Sequence, residues 1–127
     1  MSIITTWTQK ENLTIHTVSG LASEEDMYRA LAGDGNRETT AFVLWDMSRA
    51  EVAHVTSDIL RRFIRKATEL GEARQGGRTA VVAPEDLQFG LARMSEVFSE
   101  EESSPFGFRA FRTRAEALLW LQTGKVD

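Results

Sequence analysis

The stretch Ala41–Asp46, with the sequence AFVLWD, decides the fold that this chain predicts. An unbroken apolar run closed by one polar residue is typical of a strand covered on both faces, because a half-exposed strand alternates apolar and polar residues. Thr79–Ala83, TAVVA, is a second short run of the same kind. Two such strands predict a mainly parallel sheet with helices packed on it.

Strand and helix signals alternate outward from these two runs. Ile3–Thr8 and Leu13–Val18 predict an antiparallel hairpin at the start of the chain. The apolar residues of its second strand do not all share one face, which predicts a bulge or a strand end near Thr17. Phe106–Arg112 predicts the last strand. The element order is β-β-α-β-α-β-α-β-α, and we expect one α/β domain over residues 1–127.

Four helices are predicted from their capping residues and apolar spacing. We expect their first residues near Ser23, Thr56, Pro84 and Thr113. The first helix is expected to end in the glycine-rich stretch 33–36, and the second has a long apolar stripe between Ile59 and Leu70. The apolar face of the third helix is expected to contain Leu87, Leu91, Met94, Val97 and Phe98.

Composition and charge exclude several classes of protein. The chain has 127 residues, 42% of them hydrophobic, and a formal net charge of −4. These values are typical of a globular domain and do not fit a disordered chain. Nucleic-acid-binding domains of this size are usually basic, so no nucleic acid partner is expected. No apolar run reaches the roughly 20 residues that span a bilayer, and no signal peptide opens the chain, so we expect no transmembrane segment.

Cysteine is absent from the chain. Its absence excludes disulfide bonds, thiolate metal sites and cysteine nucleophiles, and it agrees with a reducing cytoplasm, which is the location we expect. His16 and His54 are the only histidines, too few for most zinc sites. We therefore expect no metal and no cofactor.

Polar side chains after the predicted strands form the candidate surface for a ligand or a partner, because ligands of open α/β sheets lie beyond the carboxyl ends of the strands. This surface contains Asp46, Ser48, His54, Thr56 and Ser57. General-base chemistry, phosphate binding and phosphorylation are the functional interpretations of these residue types. The structural interpretation, which we favour, makes them turn residues that accept amide hydrogen bonds, helix caps, and a loop histidine without a role.

Other chemical patterns carry little weight, and we expect no catalytic residue. Ser48, His54 and Asp58 have the residue types of a catalytic triad, but no nucleophile elbow surrounds a serine. Gly76-Gly77 precedes a strand instead of following one, so it does not match a phosphate-binding loop. The basic residues between Arg61 and Lys66 predict a solvated helix face more than a contact with lipid or an acidic partner.

A small apolar pocket in the last third of the chain is an alternative kind of site. Its candidate lining is Phe89, Gly90, Met94, Phe98 and Trp120. Gly90 lies inside a predicted helix, where glycine costs about 1 kcal/mol relative to alanine, so a close approach of a neighbouring element or of a ligand is expected there. The surplus of large apolar residues also predicts a homodimer.

Three segments resemble known sequences. Phe42–Ser48, FVLWDMS, resembles the strand and Asp-x-Ser element of STAS domains, the fold of sulphate-transporter tails and anti-sigma-factor antagonists. Arg78–Met94, RTAVVAPEDLQFGLARM, looks like a segment of the bacterial SpoIIAA-like, or STAS/SEC14, proteins. Phe111–Leu121 is similar to the closing helix of that family. The resemblance extends from about Leu13 to Leu121.

The resemblance implies a βα superhelix and a small, cytoplasmic, non-enzymatic protein. Relatives with this fold bind proteins, nucleotides or lipids, and the fold alone does not choose among these ligands. Antagonist-type STAS domains have Asp-Ser-Ser-Gly, with a phosphorylated serine, at the start of the second helix. Residues 54–59 of this chain are HVTSDI, which has hydroxyl groups but neither the motif nor its glycine. Thr56 and Ser57 are the only positions to which a phosphorylation site carries over.

The residues and the resemblance together predict a non-enzymatic protein-interaction or regulatory module of STAS type, whose partner is another protein or a second copy. The alternative is a small binding protein for a lipid or another apolar ligand, similar to SEC14-like domains. An enzyme acting where the strands end is the third hypothesis, and the lack of a catalytic signature ranks it last.

Overall fold

The computed structural model describes residues 2–33 and 39–125. Its strands form one sheet in the order β1-β2-β3-β4-β5. The strands are β1 (Ile3–Thr8), β2 (Leu13–Gly20), β3 (Phe42–Ala50), β4 (Arg78–Val82) and β5 (Gly107–Phe111). β1 pairs antiparallel with β2, and every later neighbouring pair is parallel. The predicted α/β class, with its mainly parallel sheet and N-terminal hairpin, is confirmed.

Four α-helices lie on the two faces of this sheet in the described part of the chain, and a short 3-10 helix, Glu72–Arg74, follows the second of them. The α-helices are α1 (Glu24–Ala32), α2 (Ser57–Leu70), α3 (Asp86–Glu101) and α4 (Arg114–Thr123). Right-handed crossovers that move the chain one strand further each time leave α1, α2 and α3 on the same face, which we call the inner face. α4 packs on the opposite, outer face. None of the helices in residues 2–33 and 39–125 is long and apolar enough to cross a membrane.

Alternation along β3 divides its apolar run between two cores. Val43 and Trp45 belong to the inner core, whereas Leu44 is fully buried in the outer core below α4. Trp45 packs edge-on against Phe63 of α2, with ring centroids 5.4 Å apart. Because helices cover both faces of the strand, every position of the run is apolar.

The helices begin at capping residues. Ser23 and Asp26 form a reciprocal capping box at α1, and Thr113 accepts a hydrogen bond from the Glu116 amide at α4. At α3 the predicted start is wrong by two residues. Pro84 lies before the helix, because Glu85 is the N-cap and its amide donates to the Gln88 side chain. Of the stretch 33–36 that was expected to end α1, only Gly33 lies within the described residues, and it is the C-cap.

β3 is longer than the apolar run that predicts it, since residues 47–50 continue the strand beyond Asp46. In its pairing with β2, Thr17 lies opposite Asp46, but Ser19 lies opposite Arg49. β3 thus contains one residue more than β2 over this step, which is a β-bulge. The irregularity predicted near Thr17 is present, although the extra residue belongs to β3 and β2 alternates regularly.

The buried face of α3 differs most from the prediction. Leu87, Met94 and Val97 were expected in the core, but they are 57%, 37% and 51% exposed. The buried residues of α3 are Gln88, Ala92, Ser95, Phe98 and Ser99. Polar side chains can face the sheet because their hydrogen bonds are satisfied: Gln88 donates to the Ala50 carbonyl, and Ser95 donates to the Leu91 carbonyl.

The Gly77→Ala substitution tests the packing between the starts of β3 and β4. A Cβ atom at Gly77 would overlap the Ala41 carbonyl oxygen, so we expect the free energy of unfolding to fall by about 3 kcal/mol. Urea denaturation measures the change. Gly90→Ala is the matched control, because nothing lies within 4 Å of a Cβ atom there, and it should raise stability by about 1 kcal/mol. Equal stability of the Gly77→Ala variant and the unsubstituted chain would contradict this packing.

Candidate functional site

An apolar cleft of about 110 Å³ lies on the inner face, between the sheet and the three helices α1, α2 and α3. Trp45 and Val81 of the sheet form its floor. Each of the three helices contributes apolar or small side chains to its walls. These are Met27 and Tyr28 of α1, Ile59, Leu60 and Phe63 of α2, and Leu91, Ala92 and Ser95 of α3. We call this space the inner cleft.

The inner cleft exists because β3 is longer than β4 and because small side chains surround the extension. β4 ends at Val82, opposite Asp46, while β3 continues to Ala50. Ala50 and Ala92 line the cleft and leave volume that larger residues would fill. α1 covers the space without filling it, since none of its residues is fully buried.

Polar side chains stand at the border of the inner cleft. His54 Nε2 donates to the Ala22 carbonyl over 3.0 Å, which links the segment before α1 to the segment before α2. Glu24 accepts two hydrogen bonds from Arg62, at 2.7 and 3.0 Å, and one from the Tyr28 hydroxyl. The bonds from Arg62, followed by the one from Tyr28, hold the pKa of Glu24 below its ordinary value. Glu51 is exposed at the same border.

Asp46 and Ser48 lie on the outer side of the sheet, away from the inner cleft. Asp46 Oδ1 accepts from the Ser48 amide at 3.0 Å and from its hydroxyl at 2.6 Å, while Oδ2 accepts from Arg114 of α4 at 2.9 Å. Burial raises the pKa of Asp46, but the bonds from Ser48 and the charge of Arg114 outweigh it and hold the pKa below its ordinary value. The Asp46 carboxylate therefore accepts the hydrogen bond of the Ser48 amide at the bulge and, through Arg114, holds the start of α4.

The other candidates of this surface lie at the start of α2. Thr56 is the N-cap, and its hydroxyl accepts from the Ile59 amide at 3.2 Å. Ser57 is the first helical residue and is exposed. The five residues of the predicted surface therefore do not converge. The rule that motivated them applies to sheets whose strand order reverses, and the strands in residues 2–33 and 39–125 show no reversal.

The residues of the predicted apolar pocket are also separated. Trp120 belongs to the outer core, where its ring centroid lies 5.6 Å from that of Phe111. Phe89 packs on the inner core, and Phe98 is buried below the Arg61 guanidinium. Met94 and Gly90 face solvent. The close approach expected at Gly90 is absent within the described chain, because nothing there lies within 4 Å of a Cβ atom at this position.

The basic residues of α2 face solvent, as the sequence predicts, and they also form ion pairs with the neighbouring helices. Arg62 pairs with Glu24 of α1, and Arg61 pairs with Glu101 of α3 at 3.0 Å. Arg65 lies 3.6 Å from Glu102, the residue that follows α3. α2 is the middle helix of the inner layer, so its cations connect it to both neighbours.

A second space, of about 240 Å³, lies at the other end of the sheet and is bordered by Arg74. The Arg74 guanidinium donates to the carbonyls of Thr40, Ala41 and Arg78 and to the Thr79 hydroxyl, at 2.9 to 3.1 Å. Burial lowers its pKa to about 10. Arg74 therefore joins the first residues of β3 and β4, a role that no local sequence pattern indicates.

The described residues contain no group of three or more His, Cys, Asp or Glu side chains placed to hold a metal ion. Comparison of the chain with known protein families and with curated proteins found no match. The function must therefore be inferred from the geometry of the chain itself.

Substitutions at Thr56 and Ser57 test which of the two hydroxyl groups caps α2. Thr56→Ala removes the acceptor of the Ile59 amide and should lower the free energy of unfolding by about 1 kcal/mol. Ser57→Ala removes an exposed hydroxyl, and Ser57→Asp adds a charge that the helix dipole favours, so both should stay within about 0.5 kcal/mol of the unsubstituted chain. Chemical denaturation measures all three. A larger loss at Ser57 than at Thr56 would show that the cap is misassigned.

Asp46 should make the free energy of unfolding depend on pH. Because its pKa is lower in the folded chain than in the unfolded chain, its ionised form stabilises the fold above the unfolded value of about 3.9, and this contribution is lost as the pH falls below that value. Asp46→Asn should therefore cost about 2 kcal/mol at neutral pH and much less near pH 2. Asp58→Asn, at an exposed position in the first turn of α2, should change stability by no more than about 0.5 kcal/mol at either pH. A pH-independent cost of Asp46→Asn would contradict the assignment.

Proposed function

We propose that this chain is a non-enzymatic binding module with the STAS-like βα fold that its sequence resembles, and that it takes a small apolar group into the inner cleft. One observation carries the proposal: the cleft is a concave space of about 110 Å³ with an almost wholly apolar lining. Concave apolar pockets with a few polar groups at the border are typical of small-molecule sites.

The volume of the inner cleft limits the ligand. Apolar cavities of roughly 150 Å³ stay dry and take up benzene, so a space of about 110 Å³ suits one aromatic ring or a short branched chain. A whole lipid is too large, although one apolar end of a longer molecule fits. His54 and Glu51 at the border would then face the polar part of the ligand.

The candidate polar side chains are already hydrogen-bonded within the chain, which supports a role without catalysis. Asp46 is held by Ser48 and Arg114, and Thr56 caps α2. Gln88, the buried amide beside the cleft, is bonded to Ala50 and Glu85. These groups already have partners that maintain the fold. A cytoplasmic location, which the lack of cysteine favours, is part of the same proposal.

A protein-interaction role is our second proposal, and a different observation favours it. Leu87, Met94 and Val97 are exposed along one face of α3. Adjacent exposed apolar residues on a helix are typical of surfaces that contact a partner.

Benzene titration followed by NMR tests the cleft. Saturable shifts are expected for the amides of Val52 and Ala92, which border the cleft, and no shifts for Leu121 in the outer core. Xenon should shift the same amides, because it also enters dry apolar cavities. Benzene shifts that do not saturate, or that are spread over both cores, would overturn the proposal.

Val55→Phe is the matched variant for this experiment. Val55 is half-buried at the border of the cleft, and a phenyl ring there would occupy the space that benzene needs. We expect the benzene dissociation constant to rise about tenfold or more. Leu119→Phe adds a ring at an exposed position of α4, on the other side of the sheet, and should leave benzene binding unchanged.

A further inference from the structure

The second space, which Arg74 borders, differs from the inner cleft in the chemistry of its lining. Its volume is about 240 Å³, against about 110 Å³ for the inner cleft. Trp45, Phe63 and Phe108 line both spaces, and we call these three side chains the aromatic wall. The inner cleft has Glu24 and Glu51 at its border, whereas no Asp or Glu is among the described residues that line the second space. Carboxylates therefore repel an anion from the inner cleft but not from the second space.

Arg74 brings a positive charge to this lining, and no described residue neutralises it. Its guanidinium packs over the Phe106 ring, 4.5 Å from the ring centroid. Burial lowers the pKa of Arg74 to about 10, and no described carboxylate acts against this effect. His16, the other titratable side chain of the described lining, already has the Thr5 hydroxyl as a partner. A buried charge without a counterion costs free energy, and an anion beside it reduces that cost.

Arg74 also keeps hydrogen-bond donors for a ligand. A guanidinium has five N–H donors, and those on Nε and Nη2 are directed to three backbone carbonyls and to the Thr79 hydroxyl. No described residue accepts a hydrogen bond from Nη1. This atom is nevertheless accessible, because Arg78 Nε is the only fully buried side-chain nitrogen or oxygen without a partner in residues 2–33 and 39–125. Nη1 can therefore donate to a molecule in the second space.

The Thr79 hydroxyl is a second donor at the same corner of the space. Thr79 is 3% exposed, and its Oγ1 accepts from Arg74 Nη2 at 2.9 Å. The hydrogen of this hydroxyl has no acceptor in the described chain. The other buried hydroxyls of the lining are used, because Thr14 donates to Thr40 at 2.8 Å and Thr40 donates to the Phe42 carbonyl. Two donors without a partner therefore lie together at Arg74 and Thr79.

We propose that the second space binds a small organic monoanion, whose carboxylate accepts hydrogen bonds from Arg74 Nη1 and the Thr79 hydroxyl and whose apolar body lies against the aromatic wall. Guanidinium and carboxylate groups match in charge and in planar geometry. Cavities of roughly 150 Å³ take up benzene, so about 240 Å³ holds one ring and a carboxylate. Leu70 lines the space and is 43% exposed, so the ligand enters from solvent there. This site is separate from the inner cleft and goes beyond the function proposed above.

Benzoate titration followed by NMR tests the site, and benzamide is the matched neutral ligand. Benzoate should give saturable shifts of the Arg74 Nε–H signal and of the Thr40 amide, and none at Leu121 in the outer core. Benzamide has the same shape without the charge and should bind about tenfold more weakly. Equal affinity for the two ligands, or no saturable benzoate shift up to about 10 mM, would overturn the site. Acetate that binds as tightly as benzoate would overturn the contact between the ligand and the aromatic wall.

Two substitutions at Thr79 test the site while keeping Arg74, which also joins β3 and β4. Thr79→Val removes the hydroxyl from a strand position that valine suits, and it should raise the benzoate dissociation constant about tenfold. Thr79→Ser keeps the hydroxyl and should bind benzoate like the unsubstituted chain. Unchanged benzoate affinity of Thr79→Val would contradict the assigned donor. The comparison of benzoate with benzamide needs no variant, so the proposal stays testable if Thr79→Val does not fold.

The inner cleft provides the last control. Val55→Phe fills the inner cleft, and Val55 does not line the second space, so this variant should bind benzoate like the unsubstituted chain. Benzene binding to Thr79→Val should likewise be unchanged, which separates failure of this site from failure of the cleft. Loss of benzoate binding in Val55→Phe would place the anion in the inner cleft and overturn the proposal.

Discussion

The strands of the sheet follow one another in space in the order in which they occur in the chain. With right-handed crossovers, this order forces the first three helices onto one face, and α4 is the described helix that packs on the other. The inner layer therefore contains three adjacent helices, with α2 in the middle. Among the described strands the order does not reverse at any point, so the crevice that usually binds ligands in doubly wound sheets has no counterpart in this part of the chain. The space that remains for a ligand lies between the helices and the sheet.

Local physical chemistry in the sequence was sufficient to predict most of the architecture. The apolar run at Phe42–Trp45 required cover on both faces, and Ser23, Thr56 and Thr113 marked three helix starts because their hydroxyls accept amide hydrogen bonds. The same reasoning did not predict that β3 continues to Ala50. Residues 47–49 are largely polar, yet they remain in the strand because the bulge is stabilised by Asp46, a contact that depends on α4.

The site was harder to predict than the fold, because a cleft is defined by volume that no residue fills. Ala22, Ala50 and Ala92 come from three distant segments, and no spacing in the chain relates them. The face of α3 was misassigned for a related reason. Apolar residues were assumed to be buried, whereas Gln88 is buried because both ends of its amide have partners. Hydrogen bonds that cross between elements do not appear in a hydrophobic pattern.

The sheet and the helix α1 are held in place by different kinds of interaction. The strands are held by backbone hydrogen bonds and buried contacts, which respond little to dissolved salt. α1 has no fully buried residue, and its link to α2 includes the pair between Glu24 and Arg62, both partly exposed to solvent. Counterions screen such exposed pairs over a distance of about 10 Å at moderate ionic strength. Ionic strength thus acts on the cover of the inner cleft while leaving its floor intact, so binding of the apolar ligand that we propose is expected to depend on the salt concentration around the protein.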